Sequence, residues 1–215
     1  MERHAFLSAL TLAALALVAG CSDDTVAPPA GGTADVSASE LADVVLQTDL
    51  LTEQVVNEQL AAMSTVAPST TGDGGGVSGT RTVTFSRSRA CPGGGQMSMA
   101  GTLIRTFDAD TGVMEAESSG TRTRDDCTFA RGETTITVNA QSQWDSFRRR
   151  VDGVPDGLQT SHYYGSKHVV RSDGHERSCE FDVTVVRDPA THSRTLDGFV
   201  CGTEVHRTVT WSFDE

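Results

Sequence analysis

Basic residues are missing from one long stretch of this chain: between Cys21 and Thr80 there are nine carboxylates and no lysine or arginine. Over all 215 residues the formal net charge is −12. A surface of that sign repels phosphates, which argues against nucleic acid as a partner. It is also pushed away from an anionic leaflet, so the acidic segment reads as a solvated stalk.

Signatures of catalysis and metal binding are missing as well. There is no G-x-S-x-G elbow and no S-x-x-K nucleophile, and no H-E-x-x-H or C-x-x-C ligand spacing. His162 and His168 share a strand face but lie roughly 20 Å apart at strand rise, too far to share an ion. Asp108-Ala109-Asp110-Thr111-Gly112 lacks the downstream bidentate acid of a calcium loop and has the residues of a hairpin turn. Gly93-Gly94-Gly95 is not followed by a helix with its lysine, so it is no phosphate cradle. Arg148-Arg149-Arg150 reads as a solvated strand end. The expectation is a non-enzymatic protein with no metal and no cofactor.

No apolar run reaches the roughly 20 residues of a transmembrane helix. Ala5 to Ala19 is apolar apart from Ser8 and Thr11, follows Arg3, and stops before Ser22-Asp23-Asp24, which fits the hydrophobic region of a cleaved signal peptide. At its end, Val18-Ala19-Gly20-Cys21 resembles the bacterial lipobox. That resemblance implies diacylglycerol on Cys21, cleavage before it, acylation of the new amino terminus, and hence a membrane partner reached through lipid. Two or more chains anchor stably. Ser22 after the cysteine resembles the default sorting pattern for the outer membrane.

Composition divides the chain into a signal peptide (1–20), a Pro/Gly-rich tether too poor in apolar residues to fold (21–38), a helix (39–63), a Gly/Ser/Thr-rich linker (64–80) and an antiparallel β domain (81–215). The helix is predicted from Leu41, Val44, Val45, Thr48, Leu51, Val55 and Ala62, which fall near one stripe. Ser37 or Ser39 is its cap. Glu40, Asp43, Asp49, Glu53 and Glu58 are assigned to its other side.

From Arg81 the apolar period becomes two, as in Ile136/Val138/Ala140/Trp144 and Phe181/Val183/Val185, with turn residues between the runs. About eight strands joined by short connections predict an up-and-down meander, forming a curved sheet or partly closed barrel with the helix packed on its concave face.

Setting Cys21 aside, an exported chain with four further cysteines is expected to form disulfides. A hairpin turning at Ala190 sets Phe181 opposite Phe199 and Cys179 opposite Cys201, at about 4.5 Å between α-carbons. A hairpin centred near residue 109 brings Cys91 and Cys127 to its open end. Cys91–Cys127 and Cys179–Cys201 are therefore expected, each closing a hairpin.

The lipobox, the tether and a body containing Cys91-Pro92-Gly93-Gly94-Gly95 and Cys127 resemble a loose group of uncharacterised exported β-rich bacterial lipoproteins, over Cys91 to about Asn139. The resemblance implies a meander curling over an N-terminal helix and brings no activity. The expected role is a cell-envelope component that binds a protein or polymer partner. The alternative is a carrier of a small apolar or lipid ligand, with Met97, Met99, Leu103, Met114, Trp144 and Trp211 lining the concavity.

Overall fold

A computed structural model describes residues 36–65 and 78–210. Cys21, most of the tether and linker, and Trp211 lie outside the described residues. Helix α1 (Ala38–Thr65) precedes strands β1 (Gly79–Ala90), β2 (Gln96–Asp108), β3 (Val113–Arg131), β4 (Thr134–Val151), β5 (Val154–Pro155), β6 (Gln159–Arg171), β7 (Glu176–Asp188), β8 (Ser193–Val200) and β9 (Thr203–Thr210). All nine belong to one antiparallel meander, with the two-residue β5 paired only to β4. The sheet is open: β1 bonds only β2 and β9 bonds only β8.

The helix starts where its sequence says it should. Ser37 Oγ accepts from the Glu40 amide at 3.1 Å, and the Glu40 carboxylate accepts from the Ser37 amide at 2.8 Å. This reciprocal pair satisfies two amides that no helical carbonyl can reach.

Leu41, Val44, Val45, Val55, Val56, Leu60 and Met63 are buried from α1, facing Met97, Met99, Leu103, Phe129, Ile136, Trp144, Val183 and Leu196 from the sheet. Each fully buried Val or Leu contributes about 1.5–3 kcal/mol. The helix backbone comes closest to β1, β2, β8 and β9, so it lies along the mouth of the curled sheet. Arg81 and Arg89 on β1 reach the Met63 carbonyl and Glu58, while Arg207 on β9 reaches Asp43 at 3.0 Å. Both unpaired edges, the usual places for unwanted strand addition, are thus bracketed by one helix.

The acidic side of α1 is not the solvated face that composition suggests. Asp49 is 0 % exposed. Its carboxylate accepts from the Tyr163 hydroxyl and from Arg187 at 2.6 Å. Glu53 meets Arg187 at 3.3 Å and Arg194 at 3.1 Å, Asp43 also meets Arg131 at 3.4 Å, and Glu40 meets Arg171 at 3.4 Å. Arg148, expected to be solvated, is buried and donates to Asn57 at 2.7 Å. Arg122 donates to Thr52 at 2.9 Å and stacks over the Tyr163 ring at 4.5 Å. Burial opposes the charge of Arg187, yet Asp49 and Glu53 hold it more firmly protonated than a free guanidinium. Burial and the Asp49 charge push the Tyr163 phenol up.

Both expected disulfides are present, with α-carbons 5.4 Å apart for Cys91–Cys127 and 4.9 Å for Cys179–Cys201. The register that led to them is off by one. Asp188 pairs Ser193 and Phe181 pairs Val200, because four residues, ending in His192 with φ 49°, make the turn. Cys201 sits just past β8 with φ 56°, its amide bonded to the Glu180 carbonyl, which returns it to Cys179. Cys91 likewise lies in the β1–β2 turn. Its bridge ties that turn to the bulge after Arg124 in β3 rather than closing the β2–β3 hairpin.

Removing the Asp49 carboxylate leaves Arg187 buried beside an unfilled site, so Asp49→Ala is expected to cost about 3–5 kcal/mol of stability. Leu50→Ala, at an exposed neighbouring position, should stay within about 0.5 kcal/mol. Urea unfolding of the two variants checks the contrast.

Candidate functional site

Side chains that point away from the helix form rows across the outer face, set by register. One row runs Thr121, Gln143, Tyr164, Asp182, Phe199 through β3, β4, β6, β7 and β8. The next runs Thr123, Gln141, Ser166, Glu180. Between them lies the line of Arg122, Ser142, Gly165 and Phe181, whose three side chains turn inward and leave backbone as the floor.

These rows are the walls of a groove of about 780 Å³. It crosses five strands, roughly 19 Å at the usual strand spacing. A second hollow of about 550 Å³ continues from Thr123, Gln141, Ser166 and Glu180 toward Asn139 and His168.

Glycine leaves part of the groove floor without a side chain at Gly165, and Gly120 marks a second close approach of strands outside the lining. At Gly165 φ is +154°, and a β-carbon there would lie 2.3 Å from the Gln141 carbonyl oxygen. At Gly120 it would lie 2.2 Å from the Ala100 carbonyl oxygen. Neither position admits a side chain. Strand glycines of this kind let backbones approach and the sheet coil more tightly.

Two aromatic rings stand on the groove. Tyr164 is 37 % exposed and Phe199 55 %. Tyr164 donates its hydroxyl to Gln143 Oε1 at 2.8 Å, and the His162 ring stacks on it at 5.1 Å between centroids. His162 in turn lies between Asp182, 2.7 Å from Nε2, and Asp145, 3.3 Å from Nδ1. Partial burial opposes its charge, but the hydrogen bonds and charges of Asp182 and Asp145 outweigh it and raise the pKa above the ordinary imidazole value. When protonated, the ring donates to a carboxylate from each nitrogen. Stacked on Tyr164, it supports the plane of that ring.

The lining is therefore amphipathic: exposed ring faces beside amides, hydroxyls and carboxylates. Glu180 and Asp182 make its charge negative. An occupant must offer flat C–H surface to the rings, whose faces are negative, and hydroxyl donors and acceptors to the walls, while carrying no negative charge of its own.

The residues proposed from sequence as an apolar lining lie on the opposite side of the sheet. Met97, Met99, Leu103 and Trp144 are buried in the core, and Met114 is partly buried against it. Trp211 lies outside the described residues. The sequence reading missed Tyr164, Gln143 and Phe199, because only register across several strands brings them together. Among the described residues no group of three or more His, Cys, Asp or Glu side chains is placed to hold a metal ion, and no helix is long and apolar enough to cross a membrane. No protein-family profile, no curated protein and no solved structure matches this chain.

Protonated His162 is favoured in the folded state. Its contribution is complete at pH below the ordinary imidazole range and is lost as pH rises through the raised folded value. NMR titration should place the His162 midpoint above that of an unstructured histidine, and Asp182→Asn should lower it.

Proposed function

We propose that the chain is a lipid-anchored, non-enzymatic component of a bacterial cell envelope whose outer-face groove binds an uncharged polysaccharide of that envelope. The observation that carries the reading is the pairing of Tyr164 and Phe199 with the amide, hydroxyl and carboxylate walls of one groove. A sugar ring has the matching chemistry: a C–H face for the aromatic surface and a rim of hydroxyls for Gln143, Gln141 and Asp182. The groove's length across five strands suits a polymer better than a compact metabolite. Its acids disfavour anionic chains.

Anchoring through Cys21 follows from the lipobox resemblance, and the Pro/Gly-rich tether keeps the sheet clear of the bilayer. This reading is preferred to a carrier of apolar ligands because side chains of α1 occupy the concave side.

The test is retention of the detergent-solubilised mature protein on a panel of neutral glycans, with anionic glycans alongside. Retention by a neutral chain is expected, weakened about tenfold or more by Tyr164→Ala or Phe199→Ala, as about 1.4 kcal/mol of lost stacking implies. Failure to bind any neutral glycan, or equal binding by both variants, contradicts the proposal. In cells, Cys21→Ser should abolish acyl labelling and release the protein from the membrane fraction.

A further inference from the structure

Positive charge inside the sheet exceeds what the helix can neutralise. Arg124 on β3 and Lys167 on β6 flank Ala140 on β4 in one line of register, so two long cationic side chains project to the same face with only a methyl group between them. Arg124 is 1 % exposed and Lys167 4 %. The three guanidinium nitrogens of Arg124, Nζ of Lys167 and Nη2 of the neighbouring Arg122 are sealed from solvent, and none meets an acceptor among the described residues.

The helix acids are committed elsewhere: Asp49 to Tyr163 and Arg187, Glu53 to Arg187 and Arg194, Asp43 to Arg131 and Arg207, Glu40 to Arg171, Glu58 to Arg89. The face of Phe181, 5.0 Å from Lys167 Nζ, offsets part of one charge. Burial first, then Arg124 and Arg177, push Lys167 down to about 7, so the lysine can shed its proton. Burial first, then Arg122, push Arg124 well below its ordinary value as well, but a guanidinium keeps its proton, and a buried cation without a counter-charge is strongly disfavoured.

We propose that Arg124 and Lys167 together bind one small monovalent inorganic anion, of the size and charge of chloride, inside the fold. The donor set is all N–H and contains no carboxylate, as an anion requires. A halide accepts from any direction, which suits a guanidinium fork and an ammonium arriving from different strands. Held there, the ion is a structural cofactor of the core, unrelated to the groove on the outer face.

The mature protein tests this in two ways. Crystals grown in bromide should show an anomalous peak between the Arg124 guanidinium and Lys167 Nζ. Thermal unfolding at fixed ionic strength should give a Tm higher in chloride than in gluconate by roughly 3–6 °C. Arg124→Met and Lys167→Met put apolar side chains into apolar surroundings and should abolish the difference while raising Tm in gluconate. Equal Tm in the two salts, bromide bound only at surface arginines, or a carboxylate from residues 1–35, 66–77 or 211–215 on Arg124 would each overturn the proposal. Should either variant fail to fold, the bromide experiment on the unaltered protein decides alone.

Discussion

Asp49 is the residue on which the arrangement turns. A carboxylate at the middle of a helix, fully buried, is tolerable only where cations and hydroxyls surround it, and Tyr163 and Arg187 provide that environment from the floor of the sheet. The same contact fixes the rotation of α1. With Asp49 pointed at Tyr163, the apolar stripe meets the core, Asp43 and Glu58 reach toward opposite edges, and Leu50 is left facing water. Hydrophobic burial supplies the larger free energy, but it is indifferent to a small rotation of the helix; the ion pairs are not.

Helix and sheet therefore solve each other's problem. An open meander has two edges with unpaired backbone groups, and an acidic helix with no base of its own has no intrahelical ion pairs. Laid along the mouth of the sheet, the helix brackets the edges and finds its counter-charges on the strands. Tight coiling round the helix also needs the close backbone approach at Gly120 and Gly165, and Gly165 leaves part of the groove floor on the outer face without a side chain. The inner and outer surfaces are thus two consequences of one curvature.

Much of the fold was legible in the chain. Alternation in Phe181/Val183/Val185 marks β7 with its wet and dry faces, Ser37-Ala38-Ser39-Glu40 marks the helix start, and the cysteine pairing emerged even from a register one residue off, because Cys201 turns back at positive φ. The acidic helix was misread for a physical reason. A carboxylate is ordinarily exposed, and its burial depends on partners far along the chain. The signal was nonetheless there: Arg148 shares parity with Ile136, Val138 and Trp144 on β4, and an arginine in phase with core residues is an arginine pointing inward. The groove was not legible, since Tyr164, Gln143 and Phe199 become neighbours only after β4, β6, β7 and β8 take up their register.

Native-state hydrogen exchange gives the most direct measure of whether the sheet depends on the helix latched at Asp49. Amides of α1 from Val44 to Val56 should exchange at the same free energy as those of β4 and β6, in one global opening. Exchange of the helix at a much lower free energy, with the sheet still protected, would contradict the account.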